Sequence, residues 1–206
     1  LQGFGAHGEE LLLDALVVGD NAAHQNRACA GNGGDGGGHQ AGGQALAEVL
    51  FGKVNPSGRL PVTFYRSVDQ LPDFEDYNME GHTYRFFRGE PLYPFGHGLS
   101  YSRFVYGKPR FADGKLTLSV ANKSKRDGEE TVLVYINKVG DTDGPVRTLR
   151  AFQRVEVAAG DSREVSIPLP DSAFEWWDPA SNAMRILPGQ YIVQVGKHKL
   201  RIKRDQ

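Results

Sequence analysis

The stretch PLYPFGHGLSY, residues 91–101, separates two parts of the chain that differ in sequence pattern. It contains two prolines, two glycines, two tyrosines and a phenylalanine. Proline fixes φ and lacks an N–H donor, and glycine loses the most backbone entropy on folding, so this stretch is not the interior of a helix. Its aromatic content is too high for a solvated linker. We therefore predict an ordered joint, in which turns bury aromatic rings where two structural units meet.

Composition narrows the class of protein before any motif is considered. The chain has 206 residues, enough for one large domain or two small ones, with 39% hydrophobic and 24% charged residues. Its formal net charge of −1 gives no electrostatic basis for a nucleic-acid or membrane partner. A single cysteine excludes an intrachain disulfide framework and a multi-cysteine zinc site. Because the first residue is Leu1 and not methionine, we expect a processed or truncated piece.

The chain after the joint alternates between polar and apolar residues. Glycine-containing turns separate the alternating segments, for example at Asp113-Gly114 and Asp127-Gly128. About seven short strands in roughly 100 residues indicate an antiparallel immunoglobulin-like or fibronectin type III-like sandwich. Adjacent side chains in a strand point to opposite faces, so we expect one of Trp176 and Trp177 to lie in the core. The predicted strands are residues 115–120, 131–136, 153–157, 163–167, 191–195 and 199–203.

The chain before the joint has helical and turn signals. Residues 9–18, EELLLDALVV, open with acidic residues that suit a helix N-terminus, and residues 44–51, QALAEVLF, form an amphipathic helix that Gly52 can end. Residues 55–58, NPSG, predict a turn, and residues 59–65, RLPVTFY, a short strand that Pro61 restricts to a sheet edge. The aromatic residues 83–87, TYRFF, should pack under the joint.

Several segments suggest a functional site but have simpler explanations. The glycine-rich residues 19–43 predict a flexible loop; the run GNGGDGGG lacks the strand and helix that a nucleotide-binding loop requires. The four possible metal ligands in this loop match no zinc spacing, so no metal site is predicted; they are His24, Cys29, Asp35 and His39. Residues 73–80, DFEDYNME, carry four carboxylates that we interpret as an exposed acidic loop. Asn122-Lys123-Ser124 is a formal glycosylation sequon.

Two long motif runs resemble the C-terminal half of multidomain glycoside hydrolase family 3 enzymes. They are GGQALAEVLFGKVNPSGRLPVTFYRS, residues 42–67, and GHTYRFFRGEPLYPFGHGLSYSRFVYG, residues 81–107. The later runs DGEETVLVYI, TLRAFQRVEVAAGDSREVSIPL and FEWWDPASNAMRILPGQYIVQVG are similar to the fibronectin type III-like domain of these enzymes. The resemblance covers residues 42–196, with a further match at residues 8–16.

The resemblance implies an α+β remnant of an α/β sandwich domain at residues 1–72, a joint at 73–101, and an all-β fibronectin type III-like sandwich at 102–206. Such enzymes are β-glucosidases and β-xylosidases that act from the non-reducing end with retention. An Asp nucleophile lies in an N-terminal barrel, and a Glu acid/base usually lies in the α/β sandwich domain. Where the family has two strands and a loop, residues 19–40 are polar and glycine-rich, as in an altered or frameshifted stretch. We then expect residues 44–51 to expose an apolar patch.

Neither catalytic motif of the family matches this chain, so no catalytic residue is assigned to it. The chain alone is expected to be inactive, and its parent to act on a β-linked oligosaccharide or aryl glycoside together with the missing barrel domain. The candidate substrate contacts are His82, Tyr84 and Arg85 beside the joint and Trp177 in the sandwich; for each of them, packing is the alternative role. No cofactor is implied, since the two-carboxylate mechanism needs none. Family analogy suggests a periplasmic or secreted location.

A hypothesis from another class is a non-catalytic carbohydrate-binding or structural β-sandwich module. It rests on aromatic side chains that stack on sugar rings, namely Trp176, Trp177 and Tyr191.

Overall fold

The computed structural model describes residues 42–205, a short helical segment followed by a β-sandwich. The helix at residues 9–18, the glycine-rich loop, its possible metal ligands and the altered stretch at 19–40 lie outside these residues. The helical elements are α1 (Gly42–Leu50) and α2 (Thr83–Phe86), with single 3₁₀ turns at Val68–Gln70 and Asp171–Phe174. None of these helices is long and apolar enough to cross a membrane.

The described residues form ten strands, and every pairing between them is antiparallel. Eight of these strands form the sandwich: the first sheet has the order β1-β3-β2, with β6 also paired to β3, and the second sheet has the order β10-β9-β4-β5. A separate hairpin joins β7 to β8. The strands are β1 (Phe104–Tyr106), β2 (Arg110–Ala112), β3 (Lys115–Asn122), β4 (Gly128–Lys138), β5 (Thr148–Val157), β6 (Ser162–Pro168), β7 (Glu175–Asp178), β8 (Ala183–Ile186), β9 (Gly189–Val195) and β10 (His198–Arg204).

The predicted sandwich is confirmed, because each of the six predicted strands lies within an observed one. Alternate residues of β3, namely Leu116, Leu118 and Val120, are buried between the sheets, as a period of two requires. Trp176 is buried, whereas Trp177 exposes 52% of its surface, so the two rings do lie on opposite sides of β7.

The prediction of a strand at residues 59–65 is wrong. Only an isolated bridge between Phe64 and Tyr93 forms there, although Leu60 N–H also donates to His97 O at 2.8 Å. Pro61 has no N–H to offer a ladder, so the segment follows the joint with scattered hydrogen bonds instead of a continuous strand pairing.

The predicted helix at residues 44–51 is present as α1. The chain leaves it through Gly52, whose φ of +68° lies in the left-handed region that favours glycine at a helix end. Val49 is fully buried, whereas Leu50 is half exposed and Phe51 exposes 89% of its surface. Phe51 and Leu50 are the exposed apolar surface that we expect on this helix.

The joint is built on stacked aromatic rings. Tyr84 of α2 stacks on Phe95 with ring centroids 4.0 Å apart, and both rings meet the edge of Tyr135 in β4. A Cβ at Gly96, where φ is +82°, would lie 2.6 Å from Leu133 Cδ1, and one at Gly98 would lie 2.1 Å from the Gly58 carbonyl oxygen. The two glycines therefore allow the joint to pack closely against the sandwich.

Residues 55–58 do not form the predicted turn, and Asn55 instead ties the helical segment to the joint and to the sandwich through its side chain. Its amide nitrogen donates to Ser102 Oγ and to Asp127 O, both at 2.8 Å. Its amide oxygen accepts from Ser100 Oγ at 3.0 Å and from Tyr101 N–H at 2.9 Å. All four hydrogen-bonding positions of this side chain are thus used.

A buried ion pair provides the second link between the segments. Arg59 Nη2 lies 2.6 Å from Glu130 Oε2, and the two side chains are only 15% and 9% exposed. Tyr106 Oη donates to the other oxygen, Glu130 Oε1, at 2.6 Å. Glu130 therefore accepts at once from Arg59, which precedes the joint, and from Tyr106 of β1.

We expect Glu130→Ala to lower the free energy of unfolding on the order of 3 kcal/mol, because it leaves the Arg59 charge and the Tyr106 hydroxyl buried without their partner. Glu129→Ala is the matched control, since Glu129 pairs with Arg154 on the outer side of the same strand and should cost below about 1 kcal/mol. Urea unfolding of the two variants measures the difference. Equal effects would contradict the role given to Glu130.

The environment of Tyr106 predicts a loss of stability at alkaline pH. Burial, and after it the charge of Glu130, raises the pKa of the Tyr106 phenol well above its ordinary value. The unfolded chain loses this proton near pH 10, while the folded chain keeps it, so the stabilisation is complete below about pH 10 and is lost as the pH rises further. The free energy of unfolding should fall above pH 10 by up to about 1.4 kcal/mol per pH unit for this group. In Tyr106→Phe, equilibrium unfolding between pH 8 and 11 should show a shallower slope; an unchanged slope would refute the assignment.

The sequon asparagine has a structural role in place of a glycosylated one. Asn122 is fully buried, and its amide nitrogen donates to Arg126 O at 2.7 Å and to Val157 O at 3.1 Å. An attached glycan would have no room at this nitrogen in the folded chain.

Asn122→Ala should reduce the free energy of unfolding by about 2 kcal/mol, since two carbonyl groups would be left buried without this donor. Asn78→Ala, which removes an exposed amide, should change it by less than about 0.5 kcal/mol. Thermal unfolding followed by circular dichroism compares the two variants. A stable folded form that carries a glycan on Asn122 would overturn the interpretation.

Candidate functional site

The predicted substrate contacts lie in two places. His82, Tyr84 and Arg85 lie at α2 beside the joint, and Trp177 lies in β7 of the hairpin. A single loop, residues 139–147 between β4 and β5, contacts both neighbourhoods. It accepts a hydrogen bond from Trp176 Nε1 to Asp141 Oδ2 at 2.6 Å, and its Val146 N–H donates to Arg85 O at 2.6 Å.

Each of the three residues at α2 has a distinct environment. The Tyr84 ring is stacked on Phe95, and its hydroxyl accepts from Leu149 N–H at 3.1 Å, so this side chain packs against the sandwich. Arg85 is exposed, with its guanidinium 5.5 Å from the Phe86 ring centroid. His82 precedes the helix and is partly buried, and its Nε2 has no hydrogen-bond partner among residues 42–205.

Arg150 of β5 links the joint to the hairpin. Its guanidinium lies 5.0 Å from the Trp176 ring centroid, and Nη2 donates to Glu175 O at 2.6 Å. Burial, with a further contribution from the positive charge of Arg85, lowers the pKa of Arg150. The positive charges of Arg150 and Arg85 thus lie close enough to interact.

Trp177 lies on an exposed surface of the hairpin. It is paired in register with Met184 of β8, which is also about half exposed. A flat indole with one free face suits contact with a sugar ring or with a neighbouring domain.

The acidic segment at residues 73–80 is exposed, as predicted. Asp73 Oδ1 accepts from Glu75 N–H at 3.0 Å, and Asp76 Oδ1 accepts from Asn78 N–H at 2.9 Å, so these carboxylates cap local turns. Phe74 and Tyr77 are almost fully exposed between them. Within residues 42–205, no three histidine, cysteine or acidic side chains are grouped as metal ligands.

A cleft that the sequence did not suggest lies between the joint and the second sheet. Its volume is about 550 Å³, and three of its lining residues are the cations Arg88, Arg147 and Lys199. Arg147 lies with its guanidinium 4.6 Å from the Tyr135 ring centroid; burial raises the pKa of Tyr135, and the Arg147 charge opposes that rise. The residues that line the cleft come from positions 63 to 199. They lie too far apart in the chain for a local sequence pattern to predict the cleft.

Comparison with known proteins gives two family matches. Residues 36–101 match the Glycosyl hydrolase family 3 C-terminal domain, and residues 130–199 match the Fibronectin type III-like domain. The chain is 43% identical to a xylan 1,4-beta-xylosidase of Xylanibacter ruminicola over 167 residues, which covers 78% of this chain and 19% of that protein. It is 36% identical to a periplasmic beta-glucosidase of Salmonella typhimurium, over 79% of this chain and 24% of that protein.

The fold of the chain also matches the folds of solved beta-glucosidase structures. Beta-glucosidase 3B of Thermotoga neapolitana, solved in complex with alpha-D-glucose, superposes with a TM-score of 0.72 at 30% identity, covering 81% of this chain and 27% of the other. The chain therefore spans about a quarter or less of the length of these curated relatives. The two domain matches follow one another along the chain, the sandwich is of the predicted kind, and the relatives agree in sequence and in fold. The chain therefore belongs to glycoside hydrolase family 3, as its C-terminal portion.

Proposed function

We propose that the full-length protein containing this chain is a retaining glycosidase that removes β-linked glucose or xylose from the non-reducing end of a saccharide or aryl glycoside. The observation that carries the proposal is the 43% identity to a xylan 1,4-beta-xylosidase over 78% of the chain. The identity to a periplasmic beta-glucosidase, at 36%, supports the glucoside as the other substrate class. The binding-module hypothesis is not favoured by these relatives.

Within that protein, we propose that this chain positions other domains and does not perform the chemistry. Retaining hydrolysis uses two carboxyl groups about 5 Å apart, one as nucleophile and one as acid/base. The well-ordered carboxylates here are already held by structural donors: Glu130 by Arg59 and Tyr106, and Asp141 by Trp176. The nucleophile and the acid/base are accordingly assigned outside residues 42–205.

The proposed division of the chain has its boundaries at the joint. Residues 1–72 belong to the truncated α/β sandwich domain, residues 73–101 form the joint, and residues 102–206 form the fibronectin type III-like sandwich. The ties from Asn55 and Arg59 to the sandwich would keep the two units in one orientation.

The barrel domain is the proposed partner of the exposed segment at residues 68–77. This segment displays Val68, Phe74 and Tyr77, each at least four-fifths exposed, beside the acidic side chains. Large apolar patches on a protein surface commonly mark an interface.

Among the candidate substrate contacts, Arg85 is the one we propose to reach a sugar. Its guanidinium is exposed and is in no ion pair with a described carboxylate, whereas the Tyr84 ring is held by Phe95. We propose that His82 and Tyr84 orient α2, and that Trp177 contacts saccharide or domain surface from the hairpin.

Hydrolysis of 4-nitrophenyl β-D-glucopyranoside and β-D-xylopyranoside tests the proposal. The full-length protein should release nitrophenol from at least one of them, and the 206-residue chain, shown to be folded by circular dichroism, should release none because it lacks the nucleophile. The ratio of kcat/KM for the two substrates then assigns the sugar. Hydrolysis by the 206-residue chain would refute the assignment of the chemistry to other domains, and an inactive full-length protein would refute the activity.

A further inference from the structure

The cationic cleft is a separate feature from the proposed sugar contacts. It lies where the joint meets the outer face of the second sheet, and its volume of about 550 Å³ falls within the ~300–1,000 Å³ of small-molecule sites. One wall comes from the joint with α2, and the other from β4, β9, β10 and the loop at residues 139–147.

The charge of this cleft has one sign. Three of its lining residues are cations and none is acidic, although the chain as a whole has a net charge of −1. Arg88, Arg147 and Lys199 form no ion pair with any carboxylate of residues 42–205. Cations that together line a concave surface attract an anion from solution.

Two of the cations are already held in place. Arg88 Nη2 donates to Thr142 O at 2.7 Å, and the Arg147 guanidinium lies over the Tyr135 ring. The first contact uses one nitrogen of Arg88, and the second uses one face of the Arg147 guanidinium. Both side chains therefore keep other N–H groups for a ligand. A guanidinium fixed in this way loses little side-chain entropy when it binds a carboxylate.

The remaining lining is suited to a ring that carries hydroxyl groups. The rings of Tyr84, Phe87 and Phe95 form an apolar wall, and the amides of Asn137 and Gln194 can donate and accept hydrogen bonds.

We propose that this cleft binds a ligand with a carboxylate on a ring, of the sugar-acid type. The cations receive the carboxylate, the aromatic wall receives the ring, and the amides of Asn137 and Gln194 receive its hydroxyl groups. The proposal does not depend on hydrolytic activity.

Isothermal titration of the 206-residue chain at low salt, with D-glucuronate, D-glucose and acetate as probes, tests the proposal. Glucuronate should bind at least about tenfold more tightly than either of the others, because only glucuronate has both the charge and the ring. Benzoate, as a ring acid without hydroxyl groups, shows whether the amides of Asn137 and Gln194 contribute; it should bind more weakly than glucuronate.

Substitution of one cation locates the site. Lys199→Gln should weaken glucuronate binding by about threefold or more, the scale of one partly solvated charge pair. Lys197→Gln is the matched control, since Lys197 is exposed in the turn between β9 and β10 but does not line the cleft. This substitution should leave the affinity unchanged. Arg88→Gln should act in the same direction as Lys199→Gln.

Several results would overturn the proposal. Equal binding of acetate or inorganic phosphate would show a general attraction for anions without recognition of the ring. Equal binding of glucose would show that the cations have no role, and equal loss in Lys197→Gln would place the ligand elsewhere. Absence of glucuronate binding in the folded wild-type chain would also refute it.

Discussion

The packing of the joint and of the segment before it against the sandwich depends on the hydrogen bonds and the ion pair made by residues 55–59. Asn55 uses all four of its hydrogen-bonding positions, on Ser100 and Tyr101 of the joint, on Ser102 at the start of the sandwich and on Asp127 before β4. Arg59 and Glu130 form a largely buried charge pair, which only good geometry and further hydrogen bonds make tolerable. Tyr106 supplies the further bond. A segment far from the sheets in sequence is thereby fixed against them.

The second sheet serves both the core and the joint, and β4 is the strand that does so. Val132, Val134 and Ile136 are fully buried on its inner face, while Tyr135, on its outer face, receives the rings of the joint. Apolar side chains on both faces explain why this strand has a nearly continuous apolar sequence, where β3 alternates. On the joint, Gly96 allows the close approach to Leu133 of β4, because a side chain at position 96 would push the rings away from the sheet.

This arrangement fits the supporting role that we propose for the chain. Glu130 and Asp141 are engaged with arginine, tyrosine and tryptophan donors. The loop at residues 139–147 lies between the joint and the hairpin, because it donates to Arg85 and accepts from Trp176. The cleft that contains Arg88 and Arg147 opens along the same boundary.

The sequence by itself determined six of the ten described strands, the helix α1, the ordered joint and the family; its local pattern does not predict β1, β2, β7 and β8, which are three or four residues long. These features repeat locally: β3 alternates with a period of two, Gly52 ends a helix, and the motif runs on both sides of the joint are long and unusual. Local patterns failed at residues 59–65, where the composition suits a strand but no continuous strand pairs with it. Only the tertiary structure decided that Asn122 is a buried hydrogen-bonding residue, that Glu130 meets Arg59 across 71 positions of sequence, and that three separated cations share a cleft. The physical reason is that a side chain's burial and partners depend on distant segments, which a local pattern does not specify.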